Sequence, residues 1–211
     1  MVIKNHNGKS TKKKLNMDTN LEKQLIDKYP TLFRDRHRPP TESLICFGLE
    51  CDDGWFKILD HLFGYLTNLM ETELQIPYTP EYQAKHKDDP DYHKNHWGAK
   101  IKPPQVILTQ VKEKYGTLRV YHHTDMDEIP EDVWGRLNLN EYYARLKRFD
   151  DKIDFAIDYA EYQSEITCEV TGKDGRLYAK GWHRVLCDEE AIKKGYDPED
   201  ACQSVSKIVE Y

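Results

Sequence analysis

The sequence predicts an α+β protein: a small antiparallel sheet or hairpin packed on two long amphipathic helices, with a degenerate zinc-ribbon-like knuckle near the C-terminus. Apolar residues recur at spacings of three and four in two segments, which is typical of amphipathic helices. Two runs rich in β-branched residues lie on either side of a glycine, which is typical of a β-hairpin. Two cysteines near the C-terminus enclose a glycine-rich segment, which is the layout of a knuckle.

The two predicted helices carry clear apolar stripes. The first stripe consists of Trp55, Ile58, Leu59, Leu62, Leu66, Leu69 and Met70. Asp52 or Asp53 precedes this helix, and we expect one of them to cap it. The second stripe runs from about Leu139 to Gln163. A shorter helix is expected to end at Tyr29, because Pro30 disfavours its continuation.

The remaining segments complete the predicted organisation. Residues 106–111 and 117–121 are the strands of the hairpin, with Gly116 in its turn, and the apolar run 43–49 is a strand or a buried extended segment. Residues 77–104 hold five prolines and many charges, and predict a long surface loop or insertion. We therefore divide the chain into a disordered basic tail (1–17), a core (18–163), and a knuckle with a C-terminal helix (164–211).

Composition limits the class of protein. Of the 211 residues, 38% are hydrophobic, which is enough for a core. The sequence contains no run of 18 apolar residues, so no membrane-spanning helix is expected. The N-terminus has lysines but no apolar stretch after them, so it does not predict a secretory signal. Five cysteines, an odd number, favour a reducing compartment with free thiols or metal ligands over a disulfide scaffold.

The charge is unevenly distributed. The formal net charge is −6, while residues 1–14 hold five lysines and no acid, so the rest of the chain carries −11. An acidic body argues against a broad nucleic-acid surface. Contact with nucleic acid is therefore expected only through the basic N-terminal tail, which is also explained as a solubilising end.

The knuckle has the spacing of a zinc ribbon but only part of its ligands. Such a site needs paired donors on two turns, and Cys168 and Cys187 begin the two turns here. Thr171 and Glu190 stand where the second donors belong. Three interpretations remain open: a knuckle that folds without metal, a zinc site completed by His183, Glu190 or another distant residue, and chance spacing. No cofactor is expected under the first, whereas Cys168, Cys187 and Glu190 hold zinc under the second.

Several segments together resemble a known family. They are KYPTLF at 28–33, FGLECDDGW at 47–55, QVKEKYGTLRVY at 110–121 and a knuckle containing GW and LCDEE. This set resembles a family of small uncharacterised proteins of tailed phages and prophages, and it covers most of residues 28–192 except 77–104. The resemblance implies a phage context, in the host cytoplasm or within the virion, and implies no reaction. Thr171 and Glu190 depart from the family's C-x2-C and C-x2-H pairs, which puts metal binding in doubt.

Enzymatic chemistry has one candidate set: Glu50, Asp52, Lys112 and Arg119. Gln110 and Lys112 alternate on a predicted strand as in a degenerate nuclease signature, in which a lysine and carboxylates position a metal ion and water. That signature also requires an acidic residue on an adjoining strand, which the sequence alone does not place. The alternatives are helix capping for Asp52 and an Arg119–Glu50 ion pair.

Binding has a second candidate set: Lys112, Lys114, Arg119, Tyr121 and Trp182. Our leading hypothesis is a non-enzymatic binding protein that contacts a host or phage protein, without a membrane, through its hairpin, knuckle and tyrosine-rich surface. The alternatives are a metal-dependent nuclease or phosphoesterase, and a sponge that holds a phosphorylated signal molecule.

Two further groups of residues could carry chemistry. The loop HKDDPDYHKNH at 86–96 holds metal-capable donors, although such loops are usually only solvated. Cys51 is flanked by acids, which predicts a raised pKa and a poor nucleophile, and Cys46 is expected to be a small buried apolar residue.

Overall fold

Helices and small sheets alternate along the chain, which is the mixed α+β architecture that the sequence predicts. The structure is a computed structural model, and it describes residues 16–89, 98–179 and 181–202. The helices are α1 (Thr19–Lys28), α2 (Phe56–Glu71), α3 (Pro80–His86), α4 (Glu131–Trp134), α5 (Leu139–Glu165) and α6 (Asp188–Lys193). The strands are β1 (Leu49–Glu50), β2 (Leu74–Pro77), β3 (Gly98–Ile101), β4 (Gln105–Lys114), β5 (Thr117–Asp125), β6 (Arg176–Tyr178) and β7 (Arg184–Leu186).

The central sheet has three strands in the order β1-β4-β5. The predicted hairpin is confirmed, because β4 and β5 pair antiparallel across a turn at Tyr115 and Gly116, with φ angles of 58° and 83°. Positive φ at both positions defines a type I′ turn, whose twist suits a two-residue hairpin. Strand β1 adds a parallel edge to β4, with Glu50 opposite Lys112.

The main core lies between this sheet and the helices. The inward face of the sheet supplies Val106, Leu108, Val111, Leu118 and Val120. Helix α2 buries Leu59, Leu62, Phe63, Leu66 and Met70 against it, and α5 buries Phe149, Ile153, Ile157 and Ala160. Two smaller apolar clusters lie apart from it: one around Ile76, Leu137 and Tyr142, and one around Cys168, Tyr178, Leu186, Cys187 and Ala191.

The prediction for residues 43–49 is largely wrong. Leu44–Phe47 form a turn of 3-10 helix, and only Leu49 of this run belongs to a strand. The turn ends at Gly48, whose φ of 81° suits glycine and leaves room for the Glu22 carboxylate. That carboxylate accepts a hydrogen bond from the Leu49 N–H at 3.1 Å. An apolar run of seven residues does not by its composition distinguish a strand from a tight helical turn.

The segment 77–104 is not the structureless loop that its prolines suggested. Strand β2 ends at Pro77 and pairs antiparallel with β3. Helix α3 begins at Pro80, where a proline is favoured, and the Thr79 hydroxyl accepts a hydrogen bond from the Tyr82 N–H. His86 and Asp89 pair within the loop predicted to hold metal donors, whereas Asp91, His93 and His96 lie outside the described residues.

The boundary of the predicted tail also shifts. Met17, which was assigned to the tail, is buried, and its N–H donates to the Leu49 carbonyl at 3.1 Å. Residues 1–15, where the basic tail is predicted, lie outside the described residues. Across the part of the chain that the structure describes, no helix is both long enough and apolar enough to cross a membrane.

Candidate functional site

The outward face of the central sheet gathers several of the predicted site residues. Lys112 Nζ donates to Gln110 Oε1 at 2.7 Å, and Gln110 Nε2 donates to Glu50 Oε2 at 3.0 Å. Lys112 also lies 5.1 Å from the centre of the Tyr121 ring, which is a cation–π distance. Glu50, Gln110, Lys112 and Tyr121 therefore form one connected polar row, and Glu50 is the acidic residue on an adjoining strand that the sequence did not place.

The other members of the predicted catalytic set point elsewhere. Arg119 Nη1 pairs with Glu161 Oε2 on α5 at 2.8 Å, so the expected Arg119–Glu50 pair is not formed. Lys114 lies over the Tyr115 ring at the tip of the hairpin. The structure thus joins Glu50 to Lys112 but does not bring Asp52 or Arg119 into the same group.

Asp52 and Asp53 do not cap α2, contrary to the prediction. Trp55 occupies the N-cap position and makes no capping hydrogen bond with its side chain, because a turn of 3-10 helix at Asp53–Trp55 precedes the helix. Asp53 instead accepts a hydrogen bond from the Asp18 N–H. Asp52 pairs with Arg184 at 2.7 Å, a residue 132 positions further along the chain.

Arg184 is the centre of a partly buried ion cluster. Its guanidinium contacts both Asp52 and Glu169, and the Glu169 side chain is only 1% exposed. The second carboxylate oxygen of Glu169 has no hydrogen-bond partner among the described residues. Burial raises the pKa of Glu169 to about 7, although the adjacent guanidinium favours its charged form.

The same region attaches the C-terminal segment to the core. The indole N–H of buried Trp55 donates to the Thr167 carbonyl at 2.9 Å, and the Gly54 N–H donates to the Glu169 carbonyl at 2.8 Å. A Cβ on Gly54 would lie 2.2 Å from the Cys168 carbonyl oxygen, so only glycine permits this approach. The C-terminal segment therefore packs against residues 51–55 and is hydrogen-bonded to them.

The predicted metal ligands meet only in part. Cys168 and Cys187 lie in the same apolar cluster, and Thr171 Oγ1 lies 3.7 Å from the Cys187 sulfur. Burial raises the pKa of the Cys187 thiol. Hydrogen bonding with the Glu190 N–H, Thr171 and Cys168 lowers this pKa by more than burial raises it, so the net shift is downward. The Glu190 carboxylate pairs with Lys193.

A structural zinc ion needs four donors, and this arrangement does not supply them. Two thiols and one hydroxyl converge, and a hydroxyl is a poor zinc ligand. Within the described residues, no group of three or more His, Cys, Asp or Glu side chains could hold a metal ion. The C-terminal apolar cluster around Tyr178, Leu186 and Ala191 packs around the two cysteines instead.

Trp182 and Cys51 lie in contrasting settings. Trp182 is 55% exposed, and its carbonyl accepts a hydrogen bond from the Tyr196 hydroxyl at 2.7 Å. Its neighbour His183 contacts the Tyr115 ring, which places Trp182 near the hairpin tip. Cys51 is fully buried, and burial together with the neighbouring carboxylates, Asp52 first among them, raises its thiol pKa, as the sequence predicted.

A groove between α2 and α5 is the feature that the sequence did not reveal. It encloses about 470 Å³. Ile58, Leu62, Ala156 and Ala160 form its apolar walls, and the exposed rings of Tyr65, Phe155 and Tyr159 form its rim. The polar residues of the lining are Lys57, His61, Gln163 and Thr167. The volume lies within the range typical of ligand-binding clefts.

The rim belongs to a longer row of exposed aromatic side chains on α5. Phe155, Tyr159 and Tyr162 are 70%, 56% and 47% exposed, and their spacings of four and three residues place them on one side of the helix. Large apolar rings that lie together on a surface mark an interaction site more often than isolated ones do. Abundant tyrosine was the signal in the sequence, but composition does not locate these side chains.

Comparison of this chain with protein-family models, with curated proteins and with solved structures gives no match. The resemblance to the phage family therefore stays a prediction, and the geometry of these sites carries the functional argument.

Proposed function

We propose that this chain is a phage-encoded, non-enzymatic binding protein that acts on a host or phage protein in the host cytoplasm or within the virion. The observation that carries the proposal is the α2–α5 groove with its row of exposed aromatic rings. Aromatic side chains dominate the energetics of protein interfaces because they bury large apolar areas.

The groove suits an acidic amphipathic helix of the partner. It follows α2 from Lys57 to Tyr65, a length of about 12 Å, which accommodates roughly two turns of helix. Lys57 and His61 are exposed along its α2 side, and no carboxylate lines it. A partner helix with an apolar stripe and acidic flanks would complement this lining in both shape and charge.

The pairings of the candidate catalytic groups also favour binding over catalysis. Asp52 is engaged by Arg184, and Arg119 is engaged by Glu161. These contacts give both residues a structural role that accounts for their presence without a reaction.

The test is an affinity purification of tagged protein from infected host cells, followed by a direct measurement with the identified partner. The double variant Phe155→Ser/Tyr159→Ser should lose the partner. Tyr143→Ser, which removes an exposed α5 ring outside the groove, should retain it. A synthetic peptide of the partner's acidic helix should bind the wild type calorimetrically with a negative heat-capacity change. A partner retained equally by all three proteins would refute the groove as the site.

We further propose that residues 164–202 are a degenerate knuckle that folds without metal. Thr171 takes the place of a second cysteine beside Cys187, and the apolar cluster supplies packing where a ribbon would have zinc. Retention of the folded state in excess chelator, followed by near-ultraviolet circular dichroism, is the expected result. Unfolding by the chelator would contradict it.

A metal-dependent nuclease or phosphoesterase is the second candidate, because Glu50 lies opposite Lys112 on an adjoining strand. Cleavage of single- or double-stranded nucleic acid that requires a divalent cation and is lost in Lys112→Ala would establish it. Lys114→Ala is the matched control, since the Lys114 side chain lies over the Tyr115 ring at the hairpin tip, whereas Lys112 is hydrogen-bonded to Gln110 in the row with Glu50.

A further inference from the structure

A polar depression lies beside strand β4, where the turn at residues 39–43 approaches the central sheet. It encloses about 400 Å³, which is within the range of small-molecule sites. Its lining is rich in hydroxyl groups and consists of Pro40, Thr41, Glu42, Ser43, Leu44, Thr109, Gln110 and Tyr121. We call it the Thr109 depression.

Strand β4 directs two consecutive polar residues to this depression because it bulges at Thr109. The antiparallel register passes from Leu108 to Gln110 and leaves Thr109 without a partner on β5. Leu108 and Val111 both belong to the main core although they are three residues apart. Alternate residues face the core in a regular strand, so the extra residue turns both Thr109 and Gln110 away from it. Bulges of this kind are frequent next to functional sites.

Ser43, from the turn at residues 39–43, has a buried hydroxyl group that the fold does not use. The residue is only 2% exposed, and its Oγ has no hydrogen-bond partner among the described residues. Ser43 precedes the 3-10 turn at Leu44–Phe47 but makes no capping hydrogen bond with its side chain. A buried hydroxyl without a partner lowers stability, so native proteins usually satisfy such a group. Because Ser43 lines the depression, a ligand bound there can supply the partner.

The charges around the depression favour a neutral ligand over a phosphorylated one. The Glu42 carboxylate lines it, and no lysine or arginine of the described residues does. The neighbouring cations are engaged, since Arg38 pairs with Glu42 at 3.3 Å and Lys112 donates to Gln110 at 2.7 Å. The Gln110 amide also donates to Glu50, so its direction is fixed before a ligand binds.

We propose that the Thr109 depression is a binding site for a neutral saccharide. The Gln110 amide and the hydroxyls of Thr109 and Ser43 hydrogen-bond to hydroxyls of the sugar, which both donate and accept. The Tyr121 ring, which is 42% exposed, packs against the apolar C–H face of the sugar. A saccharide is a ligand class that uses hydroxyl, amide and aromatic partners and needs no cation.

Saturation-transfer NMR on the purified full-length chain tests this proposal. The probes are D-glucose, D-galactose, D-mannose and N-acetyl-D-glucosamine, with glucose 6-phosphate and adenosine for comparison. At least one neutral sugar should bind, with a Kd on the order of 1 mM, as expected for a ligand of this size. Absence of transfer to all four neutral sugars would overturn the proposal. Tighter binding of glucose 6-phosphate or adenosine than of every neutral sugar would overturn it as well.

Two variants assign the sugar to the depression. Thr109→Val should weaken binding about tenfold through the loss of a hydrogen bond, whereas Thr124→Val, on the exposed end of β5, should bind like the wild type. Ser43→Ala should also weaken binding, yet it removes a hydroxyl that is unpaired in the free chain, so its urea midpoint should not fall. Equal affinity in Thr109→Val and Thr124→Val would overturn the assignment. These results are independent of the α2–α5 groove, which has a different set of lining residues.

Discussion

Glu169 shows how one buried carboxyl group sets a pH dependence of stability. Its pKa is about 7 in the folded chain and 4.5 for an ordinary glutamate, so the folded state binds more protons between these values. The associated stabilisation is complete below about pH 4.5 and is lost as the pH rises to 7. In Glu169→Gln, the free energy of unfolding should vary less between pH 5 and 8. The variant should lack a decrease on the order of 1–3 kcal/mol that the wild type shows across this range.

Urea unfolding at several pH values measures this effect. Glu165→Gln, which changes an exposed carboxyl at the end of α5, should keep the wild-type slope. A Glu169→Gln protein whose stability follows the same slope as the wild type would assign the pH dependence to other groups.

Arg184 should matter most where Glu169 is charged. Arg184→Met leaves a buried carboxylate without its counter-ion, which typically costs about 3–5 kcal/mol. The loss should be larger at pH 8 than at pH 5, because protonated Glu169 needs no partner, and Glu169→Gln should recover part of it. Arg176→Met removes an exposed, solvent-screened pair with Asp188 and should cost much less than Arg184→Met. Equal losses in the two arginine variants would contradict a central role for the cluster.

The β4–β5 hairpin carries a local conflict between residue and turn. Tyr115 adopts a φ of 58°, which a tyrosine disfavours and an asparagine tolerates. Tyr115→Asn should therefore raise the free energy of unfolding by about 0.5–1 kcal/mol, less whatever the His183 contact contributes. Chemical denaturation measures the change, and Lys114→Asn, beside the turn but outside its two central positions, is the control. A loss of stability in Tyr115→Asn would mean that the ring contact outweighs the backbone strain.

The elements that the sequence predicted are those that depend on nearby residues. The hairpin at Gly116 and the helix α2 follow from local spacing, and both are present. The 3-10 turn at Leu44–Phe47 was missed because its ending depends on Gly48 meeting Glu22, a residue on another helix. Helix α3 was missed because the prolines of this segment favoured the prediction of a loop, although Thr79 and Pro80 are suitable residues for a helix N-terminus.

The candidate site was less predictable because its contacts span the molecule. Glu50 and Lys112 could be named from the sequence, but only the parallel pairing of β1 with β4 places them opposite each other. The Asp52–Arg184 pair joins residues 132 positions apart, so no local sequence pattern predicts it. The α2–α5 groove likewise depends on how two helices pack, which their separate stripes do not specify.

At the scale of the whole molecule, the C-terminal segment and the core stabilise each other. Trp55 is fully buried and donates to Thr167, and Leu118 in the central sheet donates its N–H to the Ser164 hydroxyl. These contacts cross the boundary at residue 164 that the sequence suggested between core and knuckle. A buried indole that loses its partner and its cover becomes both unsatisfied and exposed.

Truncation after Ile166 should therefore abolish cooperative folding instead of releasing an independent core. We expect a broad thermal transition, a weakened near-ultraviolet dichroism signal and a red-shifted tryptophan emission, since Trp55 and Cys51 lose the segment that covers them. The matched control is a chain that ends at Cys202, which retains every contact described above and should keep a cooperative transition. A sharp transition at the wild-type midpoint in the shorter chain would show instead that the core folds without the C-terminal segment.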